Sequence, residues 1–226
     1  MPEQAPEHPQ PIVTVDVVIL TLRQEALHVA LSRREQAPHA GDWTLPGGWV
    51  HPEEDVDALA AAVRILRAKA GLDSPYLEQL KTFASRHRDG RGWSVSIAHY
   101  ALVSEERARS GLIEWRPVDA IRSLPFDHLE ILRTAVERVR SKTAYSSLPV
   151  HLMPATFTLS ELQRVYEQVL GTSLDKRTFR RRIEELDLVE AAPGARNEGA
   201  AHRPAQHYRV KRRFGKELAV SGRTLA

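Results

Sequence analysis

The residues with the clearest chemical potential lie between Leu45 and Leu72, in the stretch LPGGWVHPEEDVDALAAAVRILRAKAGL. A Pro-Gly-Gly turn leads into a loop rich in carboxylates, and an Ala-rich helix follows and ends at Gly71. Carboxylates gathered in one loop can hold a divalent cation such as Mg²⁺, which requires hard oxygen ligands and can assist hydrolysis. The four carboxylates of the loop belong to Glu53, Glu54, Asp55 and Asp57.

The Ala-rich helix has one predicted apolar face. Its apolar residues recur at i, i+4, i+7 and i+11, a spacing that predicts a buried stripe. These residues are Leu59, Val63, Leu66 and Ala70. Functional residues are therefore expected on the remaining faces.

This stretch resembles the Nudix box, the loop-helix-loop signature of enzymes that hydrolyse nucleoside diphosphates linked to another moiety. Gly48 and Glu54 keep the first spacing of that signature, although Glu54 and Arg64 are two residues further apart than in the family. The end of the signature is kept by Arg64, Leu66, Gly71 and Leu72. Three glutamates of the signature are replaced, by Ile65, Ala68 and Lys69.

In the family those glutamates hold the divalent metal against the diphosphate. Because the helix here offers no carboxylate, the sequence predicts a lost hydrolytic centre, with no catalytic residue, no metal site and no cofactor. The pocket can persist, since Lys69 can attract a diphosphate as a point charge. The alternative is a solvated lysine in the last turn of the helix, where the helix dipole favours a cation.

The resemblance also places a nucleotide near Arg33, Arg34 and Trp43, for which the alternatives are strand-end charges and a core aromatic. A later segment, RHRDGRGW, is similar to a turn of Nudix-like regulators, and its arginines can bind phosphates bidentately. Arg86 is the preferred ligand in this segment, whereas for Arg88 a solvated hairpin loop stands beside phosphate binding as the alternative. The full candidate effector site is Arg33, Arg34, Trp43, Gly48, Glu54, Lys69 and Arg86.

The box lies within a pattern of strands and helices. Apolar and β-branched runs predict strands at residues 12–20, 27–33, 77–85, 95–103 and 114–118. An amphipathic helix then runs from Asp127, its expected N-cap, to Val139. His128 in its first turn is interpreted as structural rather than catalytic. Residues 12–143 are therefore predicted to form a Nudix-like α/β/α sandwich with a mixed sheet.

Composition restricts the remaining possibilities. The chain has 226 residues, 42% of them hydrophobic, and no apolar run reaches the roughly 20 residues that a membrane helix needs. Residues 1–11 are Pro-rich and acidic, which predicts a short disordered lead rather than a secretory signal. The absence of Cys is consistent with a cytoplasmic protein. Residues 144–156, with their prolines and serines, predict a linker.

The positive charge is concentrated in the last third of the chain. Residues 156–226 contain 14 Lys and Arg against 9 Asp and Glu, whereas residues 1–155 contain 18 against 20. Such asymmetry indicates a basic module that meets an acidic partner, most often nucleic acid. Residues 157–226 are predicted to be this module.

Two short helices separated by a turn are predicted in the basic module. Thr158 and Glu161 form a capping box that opens the first helix, and Gly171 ends it. The second helix is predicted to begin at Ser173 or Asp175 and has its apolar residues on one face. Those residues are Phe179, Ile183 and Leu186. The arrangement predicts a helix-turn-helix.

The outer face of the second helix is rich in arginine, as insertion into the major groove of DNA requires. Residues 188–190 and 207–210 predict the two strands of a wing, whose loop would contact phosphates or the minor groove. A solvated charged helix is the alternative. The predicted DNA contacts are Lys176, Arg177, Thr178, Arg180 and Arg181 on the helix, and Arg196, His202 and Arg203 in the wing.

A Nudix-like domain followed by a winged helix-turn-helix, an α+β chain overall, resembles the NrtR family of Nudix-related regulators of NAD metabolism over about residues 12–210. The resemblance implies a homodimeric repressor of genes for NAD synthesis or niacin use. It also implies a palindromic DNA operator and a Nudix-like domain that senses ADP-ribose or a related NAD metabolite without hydrolysing it, with no membrane partner. Two alternatives stay open: a working Nudix hydrolase such as an ADP-ribose pyrophosphatase, with metal on the loop carboxylates, and an adaptor for protein or RNA.

Overall fold

The computed structural model describes residues 10–74, 76–193, 206–215 and 217–221. The strands are β1 (Ile12–Arg23), β2 (Ala26–Arg33), β3 (Trp43–Thr44), β4 (Gly47–Trp49), β5 (Tyr76–Ser85), β6 (Ser94–Leu102), β7 (Ile113–Pro117), β8 (Phe157–Thr158), β9 (Val189–Ala191) and β10 (His207–Val210). The α-helices are α1 (Ala58–Ala70), α2 (His128–Thr143), α3 (Leu159–Leu170) and α4 (Lys176–Glu185). Every helix among these residues is too short or too polar to span a lipid bilayer.

The first seven strands form one mixed sheet. Its order is β3-β2-β1-β6-β5, with β4 paired to β1 and β7 paired to β2. The central pair, β1 with β6, is parallel, and the other pairs are antiparallel. The long β-branched run that the sequence predicts as the first strand thus becomes the centre of the sheet.

Alternate residues of β1 enter two different cores. Val15, Val17 and Ile19 pack on the side of α1, whereas Val18 and Leu20 pack on the side of α2. This alternation is the period of two that a strand buried on both faces requires. The sheet therefore lies between two helices, and the predicted α/β/α sandwich is confirmed.

Helix α1 packs through a face that overlaps the predicted one only in part, because Leu66 and Ala70 are buried as predicted but Leu59 and Val63 are not. Its buried residues are Ala61, Ala62, Ile65, Leu66 and Ala70, while Leu59 is 48% exposed and Val63 is only half-buried. The prediction followed the larger apolar side chains. Small alanines face the sheet instead, because they allow a helix to approach the strands closely.

The C-terminal module has a second, three-stranded sheet in the order β8-β10-β9. The predicted capping box of Thr158 and Glu161 on α3 is confirmed. At the start of α4, which the sequence predicts at Ser173 or Asp175, the side chain of Asp175 accepts a hydrogen bond from the backbone N–H of Thr178. Gly171 ends α3 with a φ of 72°, a left-handed conformation that glycine adopts without strain. The predicted helix-turn-helix with two strands of a wing is present.

Residues 144–156, predicted as a linker, are folded. They contain a 3-10 helix at Leu148–Leu152 whose five residues are all buried. Leu148 and Leu152 join the core of the Nudix-like sandwich, whereas Val150 and Met153 join the core of the winged helix. The connection between the two halves is thus a packed element rather than an exposed one.

Candidate functional site

A cleft of about 360 Å³ opens on the Nudix-like sandwich beside α1. Four of the seven predicted effector residues line it: Arg33, Arg34, Gly48 and Lys69. The lining includes six Arg and Lys side chains but only three carboxylates. The cations are Arg33, Arg34, Arg64, Lys69, Arg88 and Arg91, and the carboxylates are Asp16, Glu35 and Asp89. This excess of positive charge suits an anionic ligand.

Three predicted effector residues lie outside the residues that line the cleft: Trp43, Glu54 and Arg86. Trp43 packs against the core, with the guanidinium of Arg33 at 6.0 Å and that of Arg116 at 5.2 Å from its ring. The Glu54 carboxylate lies 3.2 Å from Nδ1 of His51. The turn after β5 leaves Arg86 exposed.

Arg88 is buried and lines the cleft, which contradicts the alternative of a solvated hairpin loop for this residue. It donates two hydrogen bonds to the carboxylate of Asp127, at 2.9 and 3.0 Å, and lies 3.4 Å from Asp16. Asp127 is the N-cap residue of α2, as predicted, but its carboxylate is engaged by Arg88 and makes no side-chain cap hydrogen bond. The two aspartates draw the guanidinium inward, since a buried charge must be paired.

Asp16 is the centre of the buried polar network beneath the cleft. Its carboxylate accepts a hydrogen bond of 2.6 Å from Ser96 and lies 3.5 Å from Nε2 of His128. Burial alone would raise the pKa of Asp16, but His128, Ser96 and Arg88 outweigh that effect and hold the pKa below its ordinary value. The carboxylate therefore stays ionised and keeps Arg88 in place.

His128 has a structural role, as its position in the sequence indicates. Its Nδ1 accepts a hydrogen bond of 3.2 Å from the backbone N–H of Leu45, so Nε2 carries the proton and faces Asp16. The ring thereby joins the start of α2 to the strand before the Pro-Gly-Gly turn. It also borders the cleft.

The Nudix box is held together by Arg64. Its guanidinium donates to Asp55 at 2.8 and 2.6 Å and to the carbonyl of Trp49 at 2.9 Å. The two hydrogen bonds from Arg64 to Asp55 are the main reason that the pKa of Asp55 is lowered to about 2. Arg64 therefore joins the loop to α1.

The metal expected of a Nudix enzyme does not fit the residues at this site. Asp55 is engaged by Arg64, and Asp57 caps α1 by accepting from the N–H of Ala60 at 2.7 Å. Ile65 is buried in the core, and the Lys69 ammonium lies 3.9 Å from Glu35. Within the described ranges, no three His, Cys, Asp or Glu side chains are grouped to hold a metal ion.

The first glycine of the Pro-Gly-Gly turn lies against the carboxylate of Asp16. A Cβ at Gly47 would lie 2.0 Å from Oδ1 of Asp16, whereas a Cβ at Gly48 would meet only Ile65, at 3.7 Å. Only glycine at position 47 allows β4 to pass the buried carboxylate. The first glycine of the turn is thus set by the polar network.

Helix α4 presents a cationic face outward. Lys176, Arg177, Arg180 and Arg181 are exposed, while Phe179 and Ile183 are buried in the core of the winged helix. Thr178 is half-buried next to them. The predicted contacts Arg196, His202 and Arg203 lie outside the described residues.

The positive charge that follows β10 is partly neutralised. Lys211 and Arg213 both pair with the carboxylate of Asp187, which forms a hydrogen bond of 2.6 Å with Arg213. Arg209 pairs with Glu190 at 2.8 Å on the neighbouring strand. On α4, Arg181 lies 3.7 Å from Glu185, and Lys176, Arg177 and Arg180 add three further exposed cations to the helix.

Comparisons with known proteins agree with this architecture. Residues 11–144 match the model of the NUDIX domain, and residues 149–210 match that of the NrtR DNA-binding winged helix domain. The fold and the site together define a class of protein in which a Nudix domain is joined to a winged helix.

Two relatives that match nearly the whole chain identify the family within this class. The chain is 41% identical over 213 residues to the ADPR responsive transcriptional repressor NtrR of Acinetobacter baylyi, across 91% of this chain and 84% of that protein. It matches Shewanella oneidensis NrtR, solved with a 27mer DNA, at 34% identity and a TM-score of 0.85, over 95% of this chain and 99% of that one. The chain belongs to the NrtR family. The family predicted from the sequence is confirmed.

A second solved structure matches only the half of the chain that bears the cleft. It is the Nudix domain of Shewanella oneidensis NrtR complexed with ADP ribose, which matches at 34% identity with a TM-score of 0.54, over 58% of this chain and 90% of that one.

Proposed function

We propose that this protein is a cytoplasmic, homodimeric repressor of genes for NAD synthesis or niacin use, controlled by ADP-ribose or a related NAD metabolite. The observation that supports this function best is the pairing, in one chain, of an exposed arginine face on α4 with a cationic cleft where the described residues include no cluster of three acids or histidines that could hold a metal. The Acinetobacter relative is an ADPR responsive repressor. Shewanella NrtR has been solved with DNA, and its Nudix domain with ADP ribose.

The cleft suits binding of a diphosphate without its hydrolysis. Nudix hydrolysis uses carboxylates to hold a divalent cation, and the positions of those carboxylates carry Ile65, Ala68 and Lys69. Fixed cations from Arg33, Arg34 and Lys69 can take over the neutralisation of the diphosphate. The proposed effector site is therefore this cleft, with Gly48 at its wall and Arg88 added to the residues predicted from the sequence.

The proposed DNA contacts lie on α4 and in the wing. Arg177 and Arg181 project away from the buried face of α4, where they can reach guanine edges or phosphates in the major groove. Two copies of α4 on a dimer would meet two half-sites at a fixed spacing, which requires a palindromic operator. The wing would add contacts to the backbone of the duplex.

Regulation requires only that the effector prefer one arrangement of the two DNA-binding modules. A tenfold difference in effector affinity between the two arrangements supplies about 1.4 kcal/mol of bias. Hundredfold differences are ordinary in allosteric proteins, so a modest preference of the cleft suffices to control binding to the operator.

The test is a gel shift of the protein on its neighbouring promoter, titrated with ADP-ribose, NAD and phosphoribosyl pyrophosphate. We expect a complex with a palindromic site that ADP-ribose changes at constant salt. The Arg177→Ala and Arg181→Ala variants should each weaken DNA binding about tenfold or more, because a bidentate contact contributes roughly 1–3 kcal/mol.

The matched control is Arg122→Ala, which removes an exposed arginine from the Nudix-like sandwich. It should bind DNA like the unsubstituted protein. Equal loss in all three variants would indicate a general charge effect and contradict the role of α4. If the protein released AMP from ADP-ribose at an enzymatic rate in the presence of Mg²⁺, the proposal that it does not hydrolyse its effector would be wrong.

A further inference from the structure

One aromatic side chain at the edge of the cleft is not explained by packing. The chain has four tryptophans, all within the described residues. Trp43 and Trp115 pack against the two cores of the sandwich. Trp49 and Trp93 are 53% and 50% exposed. Of these two, Trp49 lines the cleft and Trp93 does not.

The Trp49 ring is partly covered by Arg91 and is otherwise about half exposed. Its backbone is held in β4, which pairs with Thr14 of β1, and its carbonyl accepts a hydrogen bond of 2.9 Å from Arg64. The guanidinium of Arg91 lies 5.6 Å from the ring centroid. Arg91 is itself held by Asp89 through hydrogen bonds of 2.6 and 3.0 Å. The indole is therefore oriented before any ligand arrives.

Phe126, the other large apolar ring of the cleft, is already covered by its neighbours. The guanidinium of Arg34 lies 5.0 Å from its centroid, and the rings of His39 and His128 lie at 4.9 and 5.3 Å. A planar ligand group thus has less access to Phe126 than to Trp49. An exposed indole can stack on a base, and the cations beside it can bind the diphosphate to which that base is attached.

We infer that Trp49, supported by Arg91, is the surface on which the purine base of the effector stacks. This inference rests on the proposed function, because it assigns the base of the effector to one end of the cleft and the diphosphate to the arginines and Lys69. An indole and a purine stack face to face with an offset, and a guanidinium on the opposite face of the indole strengthens the contact. The cleft would then select a nucleotide over a ribosyl diphosphate that lacks the base.

The experiment measures binding by calorimetry with two ligands, ADP-ribose and phosphoribosyl pyrophosphate, which has a diphosphate but no base. Trp49→Ala should weaken ADP-ribose binding about tenfold or more, while the affinity for phosphoribosyl pyrophosphate changes less than about twofold. Trp49→Phe should restore most of the affinity for ADP-ribose, since a phenyl ring also stacks. Trp93→Ala removes an equally exposed indole outside the cleft and should leave both affinities unchanged.

A second readout is the fluorescence of the tryptophans. Stacking on a base quenches indole emission, so ADP-ribose should quench the emission of the unsubstituted protein and of Trp93→Ala, but not that of Trp49→Phe. Unchanged affinity of Trp49→Ala for ADP-ribose, or an equal loss of affinity for both ligands, would overturn the assignment of the base to Trp49 and leave the proposed function standing. Absence of ADP-ribose binding by the unsubstituted protein would overturn the proposed function and this assignment together.

Discussion

At the scale of single residues, the cleft depends on a glycine and an aspartate that touch. Asp16 is buried beneath the cleft and is held by Ser96, Arg88 and His128. β4 can pass its carboxylate only because Gly47 has no side chain. The Pro-Gly-Gly turn and the buried charge network are therefore one structural unit.

Gly47→Ala should consequently destabilise the protein by about 1–3 kcal/mol, the usual effect of forcing a methyl group into a filled site. The added Cβ would lie 2.0 Å from Oδ1 of Asp16, and the carboxylate would have to leave its partners. Urea unfolding monitored by circular dichroism measures the free energy of unfolding. Gly48→Ala is the control, since its Cβ would make an ordinary contact of 3.7 Å with Ile65. Equal destabilisation of the two variants would contradict this role of Asp16.

Sequence reasoning found the cations of the cleft only in part, and Arg88 explains why. Arg86 and Arg88 lie in the same polar turn, and their sequence neighbours do not distinguish them. The structure buries Arg88 because its guanidinium pairs with two aspartates. Asp127 lies 39 residues later in the chain and Asp16 lies 72 residues earlier. Such pairing over long distances has no local signal. Asp16, a carboxylate between two valines in the middle of β1, was the available indication in the sequence that a buried cation was required.

At the scale of elements, the winged helix follows from local rules. Thr158 with Glu161, Gly171 and Asp175 each act within one turn of helix, so their roles could be predicted from sequence. The buried face of α1 was harder to predict, because its orientation depends on the sheet beneath it. Alanines facing that sheet carry a weak hydrophobic signal, so the prediction included the larger Leu59, which is exposed.

The capping box of α3 provides a test at this scale. Thr158→Ala removes the side-chain acceptor of the Glu161 N–H, a bond of 3.2 Å, and should lower the free energy of unfolding by about 1 kcal/mol. Thr134→Ala makes the same change inside α2, where the Thr134 hydroxyl only donates back to the carbonyl of Glu130. This control should be neutral or slightly stabilising, because alanine is the better helix former. A similar loss in both variants would show that the cap has no special role.

At the scale of the whole molecule, the two halves are joined by a packed connection and by the end of the described chain. Ser147 and Ala219 exchange two hydrogen bonds of 2.9 Å, and the N–H of Ser221 donates to the carbonyl of Tyr145 at 2.7 Å. The hydroxyl of Tyr166 in α3 donates to the carbonyl of Ser146 at 2.9 Å. A linker predicted from prolines and serines is thus fixed by partners far away in sequence.

Truncation after Gly215 should therefore lower the melting temperature by about 5–10 °C, since it removes three such hydrogen bonds and the packing of Leu218 and Ala219. Limited proteolysis should then cut residues 144–156 faster. Truncation after Ser221 retains all of these contacts and is the control. Identical melting temperatures for the two truncated chains would contradict a role of residues 217–221 in stabilising the connection.

Helix α3 belongs to both halves at once, because Val169 lies in the core of the Nudix-like sandwich and Val165 contacts both cores. Moving α3 against the sheet would open two close-packed interiors, which rearrange as units rather than bend gradually. In the proposed homodimer, an effector is therefore expected to act by rigid-body rotation of one protomer against the other, with the internal geometry of each protomer preserved. The distance between the two α4 helices, rather than the tilt of either one, would then distinguish the effector-bound form of the proposed dimer from its DNA-bound form.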